Sequence, residues 1–158
     1  MAELIYTAFG LERNLSMSTK DAKILELNGF LNDLERAEQA GAPAFERVFN
    51  APPTGVSVHE LSLQKKFARV SSGNASLLGY PPADLVGRSP GDFAVLKQLS
   101  ESALVRKLAP TAILTPSTRT FRRADGTEIK LLRVERHIKD EKGSVIGLRT
   151  AFCEAPEA

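Results

Sequence analysis

The last third of this chain constrains its fold most, because three strand-like segments there are joined by two tight-turn signals. Residues 118–123 and 129–138 flank Asp125 and Gly126, a strong hairpin signal because glycine at positive φ lets a turn follow the twist of its strands. Lys142 and Gly143 mark the next turn, and residues 144–154 return as a third strand. Upstream, strands are expected over 55–60 and 67–71, joined by a turn at Gln64, Lys65 and Lys66. Between the two groups, short helical pieces punctuated by Gly79, Pro81, Pro82, Gly87, Pro90 and Gly91 run to about Ala109. That order is α+β: one five-stranded antiparallel sheet with short helices gathered on one face.

The first 42 residues have a different character. Leu4, Ala8, Leu11 and Leu15 recur at helical spacing, as do Ile24, Leu27, Leu31 and Leu34, which predicts two short amphipathic helices. Ser18 or Thr19 caps the second, with Asp21 in its first turn and Gly41 past its end. A short helix follows over 43–50, with Phe45, Val48 and Phe49 on one side, and stops at Pro52 and Pro53. Charge divides at the same boundary. Four basic and seven acidic side chains lie in 1–42, seventeen and twelve in 43–158, so the net +2 conceals a −3 extension and a +5 domain. Seams this short are not stable alone. Ile24, Leu27, Leu31 and Leu34 are therefore expected either to cover the apolar outer sheet face of Val56, Val58, Leu132, Val134 and Ile138, or to form a homodimer contact.

Four segments, in order, resemble the PAS (Per-Arnt-Sim) family over residues 43–154. They are Phe49-Asn50-Ala51-Pro52-Pro53-Thr54-Gly55-Val56; Leu77-Leu78-Gly79-Tyr80 with Asp84-Leu85-Val86-Gly87-Arg88; Arg122-Arg123-Ala124-Asp125-Gly126-Thr127; and Lys139-Asp140-Glu141-Lys142-Gly143-Ser144-Val145-Ile146-Gly147. The resemblance implies a PAS-like sheet with helices that hold a haem, a flavin or a small metabolite, or hold nothing and mediate dimerisation. Departures narrow this. The reactive cysteine of the photoactive flavin branch falls at Pro90, and no histidine lies between His59 and His137 where haem members take a ligand. Haem and a covalently reacting flavin are therefore not expected, and a lone His59 is not read as a metal site. Ser71 stands where the family usually has asparagine, and His137 where it often has proline. The family's Asp-Ile-Thr-Glu relay reads Glu154-Ala155-Pro156-Glu157 here, so no effector is expected to follow.

Strand alternation, aligned on the family hairpin, assigns one pocket-facing set: Ser57 and His59; Arg119 and Phe121; Leu131, Arg133 and Glu135; Leu148, Thr150 and Phe152. On that alignment Phe121 lies opposite Leu131 and Arg119 opposite Arg133. Two facing arginines repel unless an anion or Glu135 sits between them. This constellation suggests a small carboxylate or phosphate-bearing metabolite, with Thr150 and His59 as further contacts. A register slip of one residue would turn the whole set to solvent.

Near-neutral charge and 6% aromatic residues with no Trp argue against nucleic acid. Arg122, Arg123, Lys130, Arg136, Lys139 and Lys142 read as solvated edge charges. The single cysteine, Cys153, excludes an intramolecular disulfide and a thiolate metal cluster, which suits a reducing compartment. No apolar run reaches the roughly 18 residues of a membrane span, and the N-terminus lacks a secretory pattern. No nucleophile and base form a recognisable catalytic motif. The expectation is a cytoplasmic, non-enzymatic PAS-type sensing and interaction domain that dimerises, takes a small metabolite or a separate signalling protein as partner, and meets neither membrane nor nucleic acid. The second reading is a small-anion carrier or enzyme-like domain using Arg119 and Arg133.

Overall fold

The structure, a computed structural model, describes residues 17–157. Five strands, β1 (Val56–Ser62), β2 (Phe67–Val70), β3 (Ser117–Arg122), β4 (Glu128–Lys139) and β5 (Val145–Glu154), form one antiparallel sheet in the order β2-β1-β5-β4-β3. β5 therefore sits at the centre, and its residues 147 to 153 are all buried. A central strand covered on both faces does not alternate polar with apolar residues, which is why Arg149 and Thr150 are adjacent and both buried.

Helices α3 (Asn74–Leu77), α4 (Pro82–Leu85) and α5 (Lys97–Lys107) lie on the inner face. There Leu77, Leu78, Leu85, Phe93 and Leu104 pack with Leu61, Phe67, Phe121, Leu131, Leu148 and Phe152. The sheet edges are partly covered by local backbone. Gly87 donates to the Phe67 carbonyl at 2.8 Å beside β2, and Val95 to that of Thr120 at 3.0 Å beside β3.

The outer face is covered by α1 (Thr19–Ala40) and α2 (Ala42–Phe49) of the same chain. Ser18 caps α1, its hydroxyl accepting the Asp21 N–H at 3.0 Å, and Gly41 ends it at φ 119. Leu27, Leu31 and Leu34 are fully buried against Val56, Val58, Leu132, Val134 and Ala151, and Ile24 packs at the margin. Of the four residues that the sequence assigns to cis packing or to a dimer, Leu27, Leu31 and Leu34 thus lie within one chain's core and Ile24 at its edge. The outward face of α1 carries Leu25, Asp33 and Arg36, all exposed. The helix expected over Leu4, Ala8, Leu11 and Leu15 lies outside the described residues.

One sequence expectation is corrected. Phe121 pairs with Ile129, Arg119 with Leu131, and Ser117 with Arg133, so Phe121 does not face Leu131 and Arg119 does not face Arg133. The reason is the turn. Gly126 at φ 88 closes a loop in which Arg123 donates to Thr127 at 2.7 Å and Gly126 to Arg123 at 3.0 Å, a three-residue connection centred on Asp125 rather than one residue later. Moving a turn centre by one residue moves the pairing by two, so every side chain keeps its face.

Candidate functional site

The pairing brings the predicted inner set into rows that cross the sheet. His59, Thr150 and Glu135 form one row through β1, β5 and β4, and Ser57, Phe152, Arg133 and Ser117 form the next. Ser57, His59, Phe121, Arg133, Glu135, Thr150 and Phe152 are all buried, and Arg119 is half-buried.

Glu135 is the centre of the polar part. Its Oε2 accepts the Thr150 hydroxyl at 2.8 Å, and Lys107 Nζ from the end of α5 lies 2.6 Å from its Oε1. Burial alone would raise this carboxyl, but the Arg133 guanidinium and the Lys107 ammonium outweigh it and hold the group below its ordinary range. Lys107 is lowered by burial and by Arg133, against the pull of Glu135. His137, two residues along β4, donates from Nε2 to the Lys107 carbonyl at 2.7 Å. Consecutive inward side chains of β4 thus hold both the side chain and the backbone at the end of α5.

His59 is sandwiched by aromatic rings, with centroids 4.9 Å from Phe67 and 5.1 Å from Phe152. Burial pushes its pKa down to about 3, with the nearby Glu135 opposing and Arg133 and Lys107 assisting, so the ring is neutral. Its Nδ1 has no hydrogen-bond partner among the described residues, nor do the amide atoms of the fully buried Asn74. Ser71 bridges β1 and β2: its hydroxyl accepts the Val58 N–H and meets the Ser57 hydroxyl, both at 3.0 Å.

The two arginines are the least compensated groups. Arg133 is 7% exposed, and its Nη2 donates to the Ser117 hydroxyl at 3.1 Å. Burial lowers it, Glu135 opposes, and Arg119 lowers it further. Neither guanidinium forms an ion pair within 4.0 Å among the described residues, and the Nε atoms of both are buried without a partner. A groove of about 320 Å³ opens beside Arg119, between Val95, Leu96, Leu99 and the free side of β3. Another of about 460 Å³, between Leu114, Pro116 and Val134, reaches Glu135 and His137. Lys107, Ser117 and Asn74 were not in the predicted set. Lys107 reaches the site through the packing of α5 on the sheet, for which the sequence carries no signal.

On the opposite face, the neighbours of Glu135 and Thr150 are Arg136 and Arg149, paired directly across β4 and β5. Each is met by α1. Arg136 reaches Asn28, Asn32 at 2.7 Å and Glu35 at 3.0 Å. Arg149 reaches Glu38 at 3.3 Å and Glu60 of β1 at 2.8 Å, and lies over the Phe45 ring.

No family model and no curated protein matches this sequence. Solved structures do match in fold. The chain is similar to a PAS domain of a protein from Colwellia psychrerythraea at 14% identity and TM-score 0.60, over 69% of this chain and 92% of that one. It is similar to the PAS domain of an HTR-like protein from Haloarcula marismortui at 16% identity and TM-score 0.56, over 78% and 98%. The light-state LOV domain of the blue-light photoreceptor Aureochrome1 matches at 16% identity and TM-score 0.53, over 64% and 82%. The chain has the fold of PAS domains.

Proposed function

We propose that this chain is a non-catalytic PAS-type sensory module, in which the state of the inner polar cluster is read by α1 on the opposite side of the sheet. The observation that supports this reading is the alternation along two strands. Glu135 and Thr150 belong to the inner cluster, and their immediate neighbours Arg136 and Arg149 hold α1. A change that moves β4 against β5 acts on both faces, because successive side chains of a strand share one backbone. Coupling of this kind needs a ligand with different affinity for two arrangements of the sheet.

Blue-light chemistry of the LOV type is not part of the proposal. On the resemblance, Pro90 stands where that chemistry would need a cysteine, and Cys153 packs in the outer cluster with α1 and α2. A second arrangement, two copies exchanging α1, would bury the same Ile24, Leu27, Leu31 and Leu34 against the partner's sheet, and sedimentation of the full chain distinguishes it from cis docking by mass.

Hydrogen exchange tests the reading. Glu135→Gln should speed exchange of amides in α1 more than in α4, which packs on β2 rather than on β4 or β5. Equal effects in α1 and α4, or none in α1, would overturn it.

A further inference from the structure

We propose that the open edge of β4 beyond β3 is a docking site for an extended acidic peptide, which adds a short strand beside Glu135 and His137. The pairing of β3 stops where Ser117 meets Arg133, whereas β4 continues to Lys139. Backbone groups along β4 alternate in direction. The Lys130 carbonyl accepts the Ala155 N–H on the β5 side, and the Thr127 carbonyl accepts the Arg123 N–H on the β3 side. The register with β5 is regular as far as Ile138. Even-numbered residues therefore bond toward β5, and the N–H and C=O groups of Glu135 and His137 point to the opposite side, past the end of β3. Residues 109–116 run beside this edge, yet among the described residues no backbone hydrogen bond joins them to it. An unpaired edge of this kind is a template for a further strand.

The two walls select the occupant. A cleft of about 460 Å³ separates the edge from the connection, with Ala112, Leu114 and Pro116 on one wall and β4 on the other. Leu114 packs with the inner cluster, and Asn28 of α1 lines the outer side. A strand inserted there turns alternate side chains to an apolar inner side and to an outer side where Arg136 stands. Residues 108–116 carry no charge. The charges come from β4 and its partners. Glu135 is met by Lys107 at 2.6 Å and Arg136 by Glu35 at 3.0 Å, so the exposed Lys139 leaves the cleft with a positive surplus. The complementary partner alternates carboxylate with aliphatic side chains. Its main chain supplies the register, and its charge selects it over basic sequences.

The test is fluorescence anisotropy of a labelled octapeptide of alternating valine and glutamate, titrated with the full chain. Binding should saturate. The valine and lysine counterpart should bind about tenfold more weakly, and so should the glutamate peptide N-methylated on its four central residues, which keeps the charge and loses the strand hydrogen bonds. Amide exchange read by NMR locates the peptide. Bound peptide should slow the Glu135 and His137 amides about tenfold and leave Val134 and Arg136, already bonded to β5, unchanged. Ala112→Trp fills the cleft from the connection and should abolish binding with an unchanged far-UV circular dichroism spectrum. Lys139→Glu changes an exposed side chain, keeps the test open if the tryptophan variant misfolds, and should weaken binding about fivefold. Absence of saturable binding, equal binding of the lysine or N-methylated peptide, or slowed exchange elsewhere with none at Glu135 and His137 would overturn the proposal. Protection of those two amides without peptide, growing with protein concentration, would give the edge to a second copy of the chain and overturn it too.

Discussion

Acid should destabilise this protein through His59 well before its carboxylates titrate. The ring is enclosed by Phe67 and Phe152 and has a pKa of about 3 in the fold against 6.5 for an ordinary histidine. The unfolded chain therefore binds a proton that the folded chain refuses. Because the folded value is depressed, the stabilising effect is complete above pH 6.5 and declines as pH falls toward 3, with a limiting slope of about 1.4 kcal/mol per pH unit. Integrated from pH 7 to pH 5, the loss is about 2 kcal/mol, and by pH 4.5 about 2.5 kcal/mol. With a urea m-value of about 2 kcal/mol/M, the denaturation midpoint should fall by about 1 M between pH 7 and pH 5. The comparison is His59→Gln, which does not titrate. Its midpoint at pH 7 falls with the lost aromatic packing, but its pH 7 to pH 5 difference should shrink by most of that 1 M. An equal pH dependence in both proteins would show that His59 is solvated or charged in the fold, and would refute the burial argument.

Other outcomes follow from the packing. Leu31→Ala empties a fully buried position between α1 and the outer sheet face and should cost about 2–5 kcal/mol by denaturant titration. Gly147→Ala brings a methyl group to 2.4 Å from the Leu61 carbonyl, so the β1 and β5 backbones must separate there; amide exchange across that pair should rise together with a stability loss of about 1–3 kcal/mol. Thr150→Val keeps the shape but removes a hydrogen bond to a buried carboxylate, at about 1–3 kcal/mol, and an unchanged urea midpoint would show that Glu135 has another donor.

How far these features could be read from the sequence depended on whether local pattern or tertiary docking controls them. Period-two alternation over 129–138 places Leu132 and Val134 on one face and Leu131, Arg133 and Glu135 on the other, and the structure keeps that division. The apolar outer face likewise implied a cover, and the leucines of α1 supply it. Pairing register was not legible, because an Asp-Gly signal does not specify whether the loop is centred on Asp125 or on Gly126. Arg149 was invisible as a buried ion-paired residue, since nothing local distinguishes a strand covered on both faces from one with a wet side. Lys107 was invisible for a related reason: its meeting with Glu135 depends on where α5 docks.

The strand order carries a kinetic consequence. β1 pairs with β2, and β3 with β4, through short connections, but the two halves meet only through β5, which follows all the others in the sequence. The register joins Val56 to Cys153, so closing the sheet must overcome the loop entropy of most of the domain in a single step. On a ribosome the two hairpins can form as they emerge, yet each keeps one open edge until residues 145–154 are released. That interval is when this chain is most exposed to pairing with a neighbour.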